Sequence, residues 1–134
     1  MNKSRAFLWF DAVATALGGL VCLAAPRDFI AGYFVSTGDP LTLVFVRWLG
    51  LMFMAFAAVE VRGLLGGDRA FWRLVLPAFV LGDSLHFVGT VARLLDPRFH
   101  WTFSSATDFV LVVVYLPARA WLALHPERLD RPAR

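Results

Sequence analysis

Cysteine is nearly absent from this chain. Cys22 stands alone among 134 residues, which excludes an internal disulfide and any paired-cysteine metal or redox motif. Histidine is scarce as well. Of the three present, only His86 falls inside an apolar stretch, while His100 and His125 lie outside on opposite sides, so a metal or haem centre lacks the imidazole and thiolate ligands it normally draws on. No metal site is expected. A nucleophile with its base and orienter and a phosphate-cradling glycine loop are also missing, and Gly66-Gly67 reads as a turn. Charged residues make up only 17% of the chain. Long polar stretches are lacking, which leaves no room for an attached soluble catalytic domain.

Apolar sequence fills the space instead. The chain is 59% hydrophobic with a mean hydropathy of +0.66, where soluble domains average about 45 to 50% apolar. Four stretches, about residues 7–25, 41–65, 70–95 and 103–124, each approach the ~20 residues that a helix needs to cross ~30 Å of hydrocarbon. A soluble helical bundle is the rival, but segments such as Leu49 to Val59 and Val110 to Leu116 leave no polar face for water. The expectation is an all-α integral membrane protein, a single domain over 1–134 forming an up-down-up-down four-helix bundle.

The net charge of +3 does not mark a nucleic-acid binder, because the basic residues form no patch. Their placement follows orientation. Lys3 and Arg5 precede the first span, Arg62, Arg69 and Arg73 surround the second connection, and Arg128, Arg131 and Arg134 follow the fourth. The first connection has Arg27 against Asp28 and Asp39, and the third has Arg93 and Arg98 against Asp96. Lys and Arg accumulate in cytoplasmic loops, so both termini are expected in the cytoplasm. Asp11 and the poor cleavage site before Pro26 argue that the first span is retained rather than removed as a signal.

Turn chemistry separates the spans. Pro26 stops the first helix, Gly38-Asp39-Pro40 launches the second, Asp68 is the expected cap of the third, and Asp96-Pro97 closes it. The short 66–68 connection makes a hairpin of the second and third helices. The first connection, with Phe29, Ile30, Tyr33 and Phe34, reads as an interfacial segment. Trp48, Trp72, Trp101 and Trp121 fall near helix ends as interfacial anchors.

Each span also carries ionisable residues, which are expensive in hydrocarbon and turn inward unless functional. At 100° per residue, Asp108, Tyr115 and Arg119 share one face of the fourth helix, Asp83 with Thr90 and His86 with Arg93 form two columns on the third, and Asp11, Thr15, Gly18 and Cys22 align on the first. On the second helix Arg47, Gly50, Met54 and Ala57 align, which turns Glu60 toward the interface. Depth estimates then gather Arg47, Asp83, His86 and Asp108 into an outer-half group, a candidate ligand site, and leave Asp11 and Arg119 as an inner structural ion pair.

The layout resembles the broad DoxX-like group of small bacterial membrane proteins. Four spans in this length, Gly38-Asp39-Pro40 after an aromatic connection, Arg47-Trp48-Leu49-Gly50, and Gly82-Asp83-Ser84-Leu85-His86 carry the resemblance. It implies the four-helix fold and a multi-pass place in the inner membrane, and one branch is linked to quinone-dependent sulfur oxidation. No motif transfers that role to residues of this chain, and the residues themselves make no cofactor evident. Two readings therefore stand: a non-enzymatic accessory or scaffold protein, and a quinone-linked oxidoreductase component or small-ligand binder. The partners expected are the lipid bilayer and either a membrane partner subunit or a second copy of the chain.

Overall fold

The computed structural model describes residues 3–32, 39–97, 99 and 101–129. Tyr33, Phe34, Gly38, Arg98, His100, Arg131 and Arg134, which entered the expectations above, lie outside the described residues. All regular elements among the described residues are helical: α1 (Lys3–Ala24), α2 (Pro26–Ala31), α3 (Pro40–Gly66), α4 (Arg69–Leu94), α5 (Phe103–Leu124) and a closing 3₁₀ turn over Pro126–Leu129. Four of these, α1, α3, α4 and α5, are long and apolar enough to cross a membrane.

Side-chain caps set the helix starts. Asp39 accepts from the Thr42 amide at 2.9 Å and from the Thr42 hydroxyl at 3.1 Å, which satisfies amides that the first turn of α3 cannot pair. Pro40, whose missing N–H costs nothing at this position, follows. Asp68 accepts from Phe71 N at 2.8 Å and starts α4. At α5, Thr102 and Ser105 form a reciprocal capping box, and the Thr102 hydroxyl also donates to the Gly32 carbonyl just past α2. The helices run through Pro77 and Pro117 without a break in assignment.

Packing falls into two close pairs, α1 with α3 and α4 with α5. Glycine explains the first pair. A Cβ placed on Gly50 would stand 2.8 Å from the Gly19 carbonyl oxygen, and one on Gly19 would stand 2.9 Å from the Gly50 oxygen, so the two backbones touch. Small residues permit this approach between apolar helices, where dispersion rather than water exclusion holds them. Ile30 of α2 packs beside it against Cys22 and Val46.

Between the pairs, longer side chains bridge the gap. Phe7 meets Tyr115 edge-on at 5.4 Å, and Phe56 meets Phe79 at 5.6 Å. An apolar cluster of Leu8, Leu64, Trp72, Leu76, Leu122 and Leu129 seals the end of the bundle that holds the start of α1 and the 3₁₀ turn. Arg5 joins that end by donating to the carbonyls of Leu64 and Leu129. Trp72 corrects an expectation: it is buried, not an interfacial anchor. Gly63 leaves room for its indole to fold flat against α3, where a Cβ would come within 2.7 Å of the ring. Trp48, Trp101 and Trp121 are exposed, together with most large apolar side chains on the outer faces.

Candidate functional site

A buried arginine organises the bundle. Arg119 is 6% exposed, and its Nε donates to Asp11 Oδ2 at 2.7 Å while Nη2 lies 2.6 Å from the same oxygen. Both contacts fall on one oxygen and are short and charge-assisted. Nη1 donates to Asp83 Oδ1 at 2.8 Å. Glu60 completes the group at a longer distance, with Oε2 3.7 Å from Nη2. Thus α1, α3, α4 and α5 each contribute one charged side chain to a single centre. The guanidinium also lies 4.8 Å over the Phe79 ring, a cation–π contact that favours a desolvated cation.

The charges in this centre do not balance. Three carboxylates share one guanidinium, so full ionisation leaves two negative charges in excess in a poorly solvated setting. Three polar atoms around it are buried without a hydrogen-bond partner: Glu60 Oε1, Asp83 Oδ2 and the Tyr115 hydroxyl. Asp11 has, besides Arg119, a bond from the Thr15 hydroxyl at 3.4 Å.

A second polar group sits toward the end of α4 and the start of α5. Arg93 donates to Asp108 Oδ2 at 3.0 Å and to the Thr90 hydroxyl at 2.7 Å. The His86 Nε2 lies 3.2 Å from Asp108 Oδ1 and 3.4 Å from Arg93. A hydrogen on that nitrogen bonds to Asp108, and a lone pair there accepts from Arg93, so the proton state of His86 selects its neighbour. The side chains of His86, Arg93 and Asp108 are 34%, 25% and 17% exposed, unlike Arg119. The adjoining cavity, bordered by Ser105, Phe99, Trp101 and Phe109, is about 10 Å³, space for one water rather than an aromatic ring.

This arrangement divides the expected outer group. His86 and Asp108 do meet, joined by Arg93. Asp83 instead bonds Arg119, because an arginine side chain spans the rise that separated them in a depth estimate. Arg47 is exposed on α3 and joins neither group. Asp11 and Arg119 are in direct contact.

The misplacement of Arg47 and Glu60 has one cause, the rotation of α3. Its inward face is set by the close approach at Gly50 and continues through Val46, Ala57 and Leu64, all buried. At 100° per residue Glu60 lies about 40° from the line through Val46 and Leu64, and Arg47 about 100° from it on the other side. Taking Arg47 as inward therefore turned Glu60 outward, whereas Glu60 is 1% exposed. The cue was Gly50 with Ala57, a small-residue pair two turns apart that marks a close helix contact. Among the described residues no group of three His, Cys, Asp or Glu could hold a metal ion.

Comparison with protein-family models, curated proteins and solved structures gives no match.

Proposed function

We propose that this chain is a non-enzymatic, four-span protein of a bacterial inner membrane, an accessory or scaffold component whose spans are fixed to one another at the Arg119 centre. The observation that carries the reading is the meeting of one charged side chain from each long apolar helix at one buried guanidinium. Such a centre ties four helices together where lipid offers no hydrophobic drive for association. The bacterial inner membrane follows from the resemblance to the DoxX-like group. Contact register supports alternating helix directions. Arg5 meets Leu64 and Gly19 meets Gly50, steps of fourteen residues taken forward on α1 and backward on α3.

Reporter fusions test the topology: one at Gly66 and one after Arg134 are expected to behave as cytoplasmic, and one inserted within 33–38 as external. An external C-terminal reporter overturns it.

The partly exposed His86–Arg93–Asp108 group favours a second reading, a small-ligand or quinone-linked oxidoreductase component. Purification in mild detergent with mass spectrometry of retained small molecules decides between them. A quinone held by the wild type and lost from both His86→Ala and Asp108→Asn supports the second reading, and its absence from the wild type supports the first.

A further inference from the structure

We propose that the buried centre binds one exchangeable proton, carried on Glu60 and reached from the open end of the α4–α5 pair through His86 and Asp83. The proposal rests on the four-span reading, which the reporter fusions test separately.

Glu60 is what the structural role of Arg119 leaves over. A bridge between helices is complete with Asp11 and Asp83, which hold every nitrogen of the guanidinium at 2.6 to 2.8 Å. Glu60 reaches the guanidinium only at 3.7 Å, is as buried as Asp11, and keeps Oε1 without a partner. A structural residue in that place would be apolar, since an ionised carboxylate removed from water without close pairing costs several kcal/mol. A proton on Glu60 removes that charge and supplies the one hydrogen that the carboxyl needs to donate to an oxygen beside it. The charged and titratable groups facing Glu60 are Asp11 from α1, Asp83 from α4, and Arg119 and Tyr115 from α5. Arginine stays protonated, so it orders the carboxylates around it and takes no part in the transfer.

Access is one-sided. On one side Leu8, Leu64, Trp72, Leu76, Leu122 and Leu129 are each at most 2% exposed and offer no group that can pass a proton. In the other direction titratable side chains follow along α4: Asp83 on the guanidinium that Glu60 also faces, then His86 one turn on, with Asp108 at 3.2 Å from His86. Their exposure rises from 1% at Glu60 through 16% at Asp83 to 34% at His86. A proton taken up at His86, the most exposed of these groups, passes to Asp83 and then to Glu60. Each step forms one O–H or N–H bond and breaks one, and no electron moves.

Infrared spectroscopy of the full chain in lipid nanodiscs tests this directly. The wild type is expected to show a protonated-carboxyl C=O band that shifts in heavy water. Glu60→Gln, which mimics the protonated form in shape, should lose the band and retain the helical circular dichroism. Glu60→Asp should move the band, which identifies its source even if the glutamine variant fails to fold. His86→Asn should slow the deuterium shift of the band at least about tenfold. A band absent from the wild type, one that survives unchanged in Glu60→Gln, or exchange unaffected by His86→Asn overturns the proposal. So does stabilisation of the wild type by sodium but not by choline chloride, with loss of that effect in Glu60→Gln, which makes the site one for a cation.

Discussion

The two polar groups of this bundle use similar residues in opposite ways. Around Arg119, acidic residues outnumber the cation, and Asp11 and Glu60 are sealed from solvent. Around Asp108, Arg93 and His86 outnumber the acid, and all three side chains are partly exposed. The first joins four helices, and the second joins two that are already close neighbours. An ion pair's consequence for a fold depends on what remains when one member is removed. In the buried centre the remainder is an uncompensated charge among side chains that are 0 to 16% exposed. In the open group the remainder can be hydrated.

The sharpest test removes Arg119. Arg119→Gln leaves three carboxylates without a cation and is expected to cost about 3 to 5 kcal/mol of stability, read as a large fall in the thermal midpoint in detergent or as failure to accumulate. Asp11→Asn is expected to cost less, because Asp83 remains bonded to Arg119. The double variant should be milder than the sum of the two. Additive losses would show that the contact carries no coupling.

Asp108→Asn probes the other side of the comparison. Solvent screening limits the loss to about 1 kcal/mol or less, measured by the same thermal unfolding. A loss as large as that of Arg119→Gln would erase the distinction drawn here. Arg47→Gln belongs to neither group and should change stability by no more than about 0.5 kcal/mol. A larger effect, reversed by a second change at Asp108 or His86, would return Arg47 to the outer group.

The smallest effect concerns the start of α3, outside both groups. The Thr42 amide and hydroxyl hold the Asp39 carboxyl below its ordinary value of 3.8. A carboxylate depressed in the folded state contributes stability that is fully present above 3.8 and lost as pH falls through the lower folded value. Acid should therefore slightly destabilise the wild type relative to Asp39→Asn, whose amide oxygen still caps the helix without titrating. Parallel melts in neutral and strongly acidic buffer read this difference, and identical acid sensitivity in both proteins would assign no role to the Asp39 cap.

Helix limits were largely legible in the sequence. The stretch 103–124 coincides with α5, and 41–65 and 70–95 fall within one residue of α3 and α4, because punctuation by Asp39-Pro40 and Gly66-Gly67-Asp68 is a local signal. The start of α1 falls four residues before the expected one, since Lys3 and Arg5 look like flanking sequence although Arg5 belongs to the first turns and binds the Leu64 carbonyl at the far end of α3. Rotation was harder to read. Asp11 and Arg119 could be paired from depth, but the roles of Glu60 and Arg47 depend on how α3 turns, which is fixed by the contact between Gly19 and Gly50. A helix that is apolar on all sides supplies a weak moment for choosing its inward face, so a charge is an unsafe guide and a glycine at a backbone contact is a better one. The Thr102–Ser105 cap is also local and recognisable, but its bond to Gly32 requires the fold.

The position of Arg119 in the chain has a consequence for biogenesis. Ribosomal synthesis delivers Asp11 first, Glu60 next and Asp83 third, and the guanidinium of Arg119 that binds them arrives with α5. Three acidic spans therefore precede their shared counter-ion into the bilayer, and an unfinished chain is a loose set of helices with carboxylates exposed to lipid. Nascent products cut short before α5 should thus be prime substrates for membrane proteolysis, so that arrival of the fourth helix serves as the checkpoint between a disposable intermediate and a lasting protein.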